Sequence, residues 1–309
     1  MRHLKTHALL GLAAALAGCA ALAGLDAYTG VDSMRDAGVR DSTSPVAPDS
    51  VADALPFPAV DAGEDAPAKL LDASPYDGPV VEGGVADGGR CATDAGPTMV
   101  ELAFGDGGYC VDSTEVTVMQ YRVFLEAGVA ASTQPSYCGW NSNFAPNCGG
   151  NDAKRPNQPV NCIDWCDAYA YCKWAGKRLC GKIGGGSVSK NDVNDPNRSQ
   201  WYAACSHGGA NQYAYGNAFV SGTCVANVSD PADVMSKAGC QGGFAGLFDM
   251  SGNVGEWEDS CDGQTGQNDL CARRGGDIGD QEDFVVCNQG YAISRATREK
   301  SGGFRCCKY

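Results

Sequence analysis

Two stretches of the chain repeat apolar positions with a helical period. In residues 161–175, NCIDWCDAYAYCKWA, Ile163, Ala168, Tyr171, Cys172 and Ala175 fall on one face, and Gly176 follows as a stop. In residues 113–127, STEVTVMQYRVFLEA, a cap-like Ser113 or Thr114 precedes Val116, Met119 or Gln120, Val123, Phe124 and Ala127. Both predict amphipathic helices lying on a core. Elsewhere Gly, Asn, Asp and Ser crowd the sequence, as in GGGSVSKNDVNDPNRS at residues 184–199, which predicts long loops. No internal repeat of about 20 to 50 residues is present.

The N-terminus has a different pattern. Arg2 and Lys5 precede an apolar run from Ala8 to Ala17, the layout of an export signal, so residues 1–19 read as a signal peptide. Leu16-Ala17-Gly18-Cys19 matches a bacterial lipobox, in which the Cys19 thiol is lipidated and becomes the first mature residue. Apolar residues continue to Leu25, long enough for a membrane anchor, but the run is mostly Ala and Gly, which insert weakly and favour the lipobox. Ala20 stands where an inner-membrane retention signal would place Asp, so the expected location is the outer membrane of a two-membrane envelope.

Residues 20–90 change composition again. They hold 7 of the 14 prolines, 13 acidic against 4 basic residues, and no Cys or Trp. So little apolar surface cannot offset the entropy of ordering, and the segment reads as a self-repelling tether. Residues 91–309 then form the folded domain.

Charge and cysteine content narrow the chemistry. The net charge of −14 opposes a sequence-independent grip on nucleic-acid phosphates, so no nucleic-acid partner is expected. Of 17 cysteines, Cys19 is set aside for lipid, and the other 16 lie between Cys91 and Cys307, an even set that reads as a disulfide framework. Cys162, Cys166, Cys172 and Cys180 are close enough to raise zinc as an alternative, but they form no CxxC knuckles and have no His nearby. Beyond the signal His207 is the only histidine, and no GxSxG elbow is present, so multi-histidine and serine-hydrolase chemistry are not expected. Sequence proximity suggests Cys91 with Cys110, Cys138 with Cys148, Cys224 with Cys240, and Cys261 with Cys271, leaving Cys162, Cys166, Cys180 and Cys307 without assigned partners.

Six segments together carry a family resemblance: YCVDSTEVTVMQYRVFL (109–125), PVNCIDWCDAYAYCKWAGKRL (159–179), WYAACSHGG (201–209), GLFDMSGNVGEW (246–257), RRGG (273–276) and GFRC (303–306). In this order they resemble the formylglycine-generating enzymes, or sulfatase-modifying factors, over roughly residues 97–309. The resemblance implies an α+β, C-type-lectin-related fold that is loop-rich and disulfide-stapled. It also implies bridges Cys172–Cys306 and Cys205–Cys287. For calcium it implies side-chain oxygens from Asp249 and Glu256 with carbonyls of Gly252 and Val254, and a second site beginning at Asn227 and Val228. A hard cation suits such oxygen donors on a bent, Gly-containing backbone.

The sequence departs from the family at the reaction centre. The active enzymes use two cysteines between the RGG-like motif and the position of Cys287 to bind copper and activate oxygen. Here GGDIGDQEDFVV, residues 275–286, has none, and Asp277, Asp280, Glu282 and Asp283 stand in the region. Carboxylates cannot replace thiolates for soft Cu(I), so no copper and no catalytic residues are expected. The favoured reading is a cell-envelope lipoprotein whose catalytically degenerate domain binds a protein, peptide or glycan. The alternative is a family oxidoreductase working through another metal site, formed by the four carboxylates or by an unpaired thiol.

Overall fold

The computed structural model describes residues 89–103, 107–149 and 152–309. The expected signal peptide, the expected lipidation site Cys19 and nearly all of the expected tether lie outside the described residues. Among the described residues no helix is long and apolar enough to cross a membrane.

Among the described residues two four-stranded sheets, three α-helices and two short 3-10 turns make up the regular structure. The first sheet has the order β1-β2-β8-β3, all antiparallel, from β1 (Met99–Leu102), β2 (Tyr109–Asp112), β3 (Arg178–Leu179) and β8 (Cys306–Lys308). The second has the order β6-β5-β4-β7, from β4 (Gly255–Cys261), β5 (Leu270–Arg274), β6 (Gly290–Ser294) and β7 (Gly302–Phe304). Within it β4 and β7 run parallel, pairing Glu256 with Gly303 and Trp257 with Phe304. The sparse mixed α+β architecture, held by disulfides, agrees with the sequence expectation.

α1 (Val118–Glu126) begins later than its apolar pattern implied. Its N-cap is Thr117, whose hydroxyl accepts from the Gln120 amide while Gln120 Oε1 accepts from the Thr117 amide, a reciprocal capping box. Residues before it are held extended, with the Val116 amide donating to the Phe304 carbonyl and Thr117 bridging Pro159. The helical phase therefore runs from Val118. Val118, Tyr121 and Phe124 are buried, whereas Met119 and Val123, expected inward, are exposed. α2 (Trp165–Trp174) has a capping box too, from Asp164 and Asp167, and buries Ala168, Tyr171 and Cys172 as its spacing implied. Gly176 follows with φ of 69°, a backbone state that suits glycine at a helix end. α3 (Gln200–Cys205) is capped by Ser199.

Eight disulfides bind all sixteen domain cysteines, so the closely spaced Cys162, Cys166, Cys172 and Cys180 go to four different partners and form no zinc site. The pairs are Cys91–Cys110, Cys138–Cys166, Cys148–Cys162, Cys172–Cys306, Cys180–Cys307, Cys205–Cys287, Cys224–Cys240 and Cys261–Cys271. The proposed Cys138–Cys148 bridge is thus corrected. A short 3-10 turn (Ser136–Cys138) brings Cys138 to the first turn of α2, while the Asn147 amide donates to the Cys162 carbonyl and sets Cys148 beside Cys162. Adjacent strand residues point to opposite faces, so Cys306 and Cys307 pin β8 from both sides. Cys306 belongs to the core around Tyr121, Phe124, Tyr171 and Phe304, and Cys307 to the core around Tyr109, Trp201, Leu247 and Met250.

Candidate functional site

The expected calcium loop follows a bridge between Gln241 and Phe248 and leads into β4. Three of its residues have positive φ: Asp249 at 59°, Gly252 at 83° and Asn253 at 56°. Only glycine fits at Gly252, because a Cβ there would lie 2.2 Å from the Val225 carbonyl oxygen. The bent backbone buries the side chains of Asp249, Asn253 and Glu256 together with Glu115 and Arg305.

Arg305, between β7 and β8, organises this cluster. Its Nε donates to Oε2 of Glu256 at 2.7 Å, and its Nη2 to Oε1 at 2.7 Å. Nη1 donates to the Asp112 carbonyl at 2.9 Å and Nη2 also to the Phe248 carbonyl at 2.8 Å, so one guanidinium ties both sheets to the loop. Trp201 Nε1 gives Glu256 Oε2 a further bond at 2.7 Å. Glu256, expected as a calcium ligand, therefore has its oxygens filled by Arg305 and Trp201, and its charge is balanced by a guanidinium.

The other acids are less fully compensated. Asp249 Oδ2 accepts from the Met235 amide at 2.6 Å, and Glu115 Oε1 accepts from Asn253 Nδ2 at 3.0 Å. Glu115 Oε2 is buried without a hydrogen-bond partner. Burial pushes the Glu115 carboxyl well above its ordinary range, and the Asp249 charge pushes the same way against Arg305. Burial likewise raises Asp249 to about 6, against the Met235 amide and Arg305. Three buried carboxylates share one guanidinium here, an arrangement that would favour a further cation near Asp249. Among the described residues no group of three or more His, Cys, Asp or Glu side chains is arranged to hold a metal ion.

Asn227 and Val228, the start of the expected second calcium site, are stitched to the acidic loop. Their amides donate to the carbonyls of Asp280 and Ile278, each at 2.8 Å. The four carboxylates of that loop do not converge. Asp277 pairs with Arg273 at 3.2 Å, and Asp280 accepts from the Asp277 amide and from Tyr291 Oη. Glu282 accepts from Ser221 Oγ at 2.6 Å and the Gly222 amide at 3.0 Å, bonds that hold its carboxyl below the usual range. Asp283 is exposed. Of the four carboxylates named in the oxidoreductase alternative, Asp277, Asp280 and Glu282 are thus engaged in separate local contacts. His207 sits exposed on a loop with its ring 4.7 Å from that of Phe244.

Sequence reasoning missed Glu115, Trp201 and Arg305 as members of the buried cluster. All three lie inside the quoted motifs VDSTEV, WYAAC and GFRC; for Arg305, between Phe304 and Cys306, and for Glu115, before Val116, a charged residue beside apolar neighbours is the available signal, and Trp201 carries none of that kind.

The Sulfatase-modifying factor enzyme 1-like domain matches residues 77–309. Formylglycine-generating enzyme from Mus musculus is 31% identical over 118 residues, covering 33% of this chain and 27% of that protein. The enzyme of the same name from Thermomonospora curvata is 32% identical over 133 residues, 38% of each chain. The aligned stretches thus span well under half the length of these relatives. Among solved structures, PvdO from Pseudomonas aeruginosa aligns with a TM-score of 0.48 at 18% identity, covering 71% of this chain and 98% of that one. CarF aligns with a TM-score of 0.46 at 18% identity, covering 70% and 96%. With three quarters of its length matched, the chain belongs to the sulfatase-modifying factor family.

Proposed function

We propose that this chain is an exported lipoprotein, anchored through Cys19 to the outer membrane, whose sulfatase-modifying-factor domain binds a partner and does not generate formylglycine. The observation that carries this reading is the state of sulfur in the domain. All sixteen cysteines from Cys91 to Cys307 are in disulfides, and residues 275–286 contain none. Copper-dependent oxidation of a cysteine needs thiolates to hold Cu(I). A disulfide sulfur carries no such charge. What the family scaffold retains is a braced core with long loops, a form suited to presenting a binding surface.

Calcium is the second part of the proposal. The surplus of buried negative charge and the unpartnered Glu115 Oε2 support a cation held by Asp249 and the carbonyls of Gly252 and Val254. Such an ion would neutralise the cluster and fix the loop. Glu256 we assign to the clamp with Arg305 and not to the ion.

Incubating the purified chain with a sulfatase-type cysteine peptide, copper and oxygen tests the reading. The peptide is expected to keep its mass. Formylglycine in substantial yield would restore the oxidoreductase alternative.

A further inference from the structure

The loop that lacks the family's cysteines is not bare. Two loops, residues 212–222 and 277–286, are bonded into one platform. Tyr213 Oη donates to the Asp283 carbonyl at 3.0 Å, Ser221 Oγ and the Gly222 amide donate to Glu282, and the Cys287 amide donates to the Gln212 carbonyl at 2.8 Å. The Cys205–Cys287 and Cys224–Cys240 disulfides brace both loops where they leave the platform. Tyr213 and Tyr215 stack beneath it with ring centroids 5.1 Å apart, and Phe219 lies 6.3 Å from Tyr213.

This platform carries a concentration of exposed apolar side chains. Among the described residues nine large hydrophobics are exposed, and four of them, Phe219, Val220, Phe284 and Val228, lie on these two loops or on the segment bonded to them. Scattered single exposures need no explanation, but a group on one braced surface marks an interaction site. Its charge is one-sided. Neither residues 208–236 nor residues 275–294 contain Lys or Arg, while Asp280, Glu282 and Asp283 stand beside the apolar group. Lys237 lies within electrostatic reach of Glu282, and Asp277 is already matched by Arg273.

We propose that the Phe219, Val220 and Phe284 face docks a protein segment that interleaves Lys or Arg with apolar side chains. The apolar residues of such a segment would cover the two phenylalanines, and its cations would lie over Glu282 and Asp283, a complementarity that steers and orients docking. This rests on the binding-module reading and names the partner chemistry for it. No cysteine is required in the segment, because nothing on this face is equipped to act on one.

The test uses the full-length chain and three cysteine-free peptides: one interleaving Lys with Leu and Phe, one Lys with Ser, and one Glu with Leu and Phe. Binding is read by fluorescence anisotropy against wild type and three variants. Phe219→Ser with Phe284→Ser, and separately Asp283→Lys, should each weaken the first peptide about tenfold or more, as loss of a central anchor does. Met119→Ser with Val123→Ser, on the exposed face of α1, should leave it unchanged. Equal binding of the Lys and Ser peptide would reveal bare charge attraction and overturn the proposal. So would binding of the first peptide that ignores the platform variants, or its absence up to about 1 mM. Those results leave the binding-module reading standing at another surface. Formylglycine formation in the copper assay would remove that reading itself.

Discussion

Arg305 and Glu256 form a doubly bonded ion pair at the seam of the two sheets, with Nε to Oε2 and Nη2 to Oε1 each at 2.7 Å and both side chains buried. The pair matters as much for connectivity as for charge, since the same guanidinium reaches the carbonyls of Asp112 and Phe248. Glu115 and Asp249 lie close enough to raise its pKa along with Glu256, against the effect of burial, so removing the two partners should not cost the same.

Arg305→Met should be the more damaging change, because it leaves three buried carboxylates without their cation. Glu256→Gln keeps the shape and leaves the guanidinium beside Glu115 and Asp249. Breaking a buried pair costs about 3 to 5 kcal/mol, and we expect Glu256→Gln near the lower end and Arg305→Met at or above the upper. Urea unfolding of the two variants checks the order. A loss below about 1 kcal/mol for both would contradict the clamp.

Acidity should stabilise the fold. Burial raises the carboxyls of Asp112 and Asp249 to about 6, of Glu258 to about 7 and of Asp167 to about 8, with the neighbouring Asp164 charge adding to the rise at Asp167. Each is raised above its unfolded value, so between that value and the folded one the native state holds more protons than the unfolded chain. The linked stability is fully present below the unfolded pKa near 4 and is lost as pH rises through about 6 to 8. In chelator the melting temperature should therefore fall from about pH 5 to about pH 8.5. Glu258→Gln should flatten part of that slope, and a melting temperature that climbs across the same interval would refute the assignment.

Calcium should act on the same charges. If Asp249 with the Gly252 and Val254 carbonyls holds the ion, millimolar calcium raises the melting temperature by mass action and also reduces its dependence on pH. Excess chelator should reverse both. Asp249→Asn should abolish the calcium response while keeping a folded spectrum. Identical melting curves with and without calcium would remove the ion from the account.

The disulfide map gives a structural test that sequence alone does not supply. Chymotryptic cleavage after Trp140 or Phe144 separates Cys138 from Cys148, and cleavage before Asp164 separates Cys162 from Cys166. Non-reducing mass spectrometry of the double digest should link Cys138 to Cys166 and Cys148 to Cys162. A Cys138–Cys148 link would show that sequence proximity, and not the contact made by the turn at residues 136–138, decides the pairing.

These tests also mark where sequence reading stopped. α2 was legible because its apolar face and glycine stop agree, while its start, set by the Asp164 cap, lies later than the apolar pattern began. α1 was legible as a helix but rotated, since Val116 continues its apolar pattern while the chain at Val116 and Thr117 is held by Phe304 and Pro159 and not in the helix. Local bridges such as Cys261–Cys271 follow from spacing, whereas Cys180–Cys307 closes 127 residues and depends on β8 lying beside β3. The motifs marked Asp249 and Glu256 but not what faces them. Arg305 and Glu115 reach the cluster from opposite ends of the domain, and that meeting exists only in three dimensions.

The central claim concerns sulfur, and a thiol count addresses it most directly. The chain, purified without reductant, unfolded in guanidinium and treated with iodoacetamide, is read by peptide mass spectrometry. The account predicts no alkylation anywhere from Cys91 to Cys307. Two alkylated cysteines close together in the fold would contradict it and return a thiolate metal site to the domain.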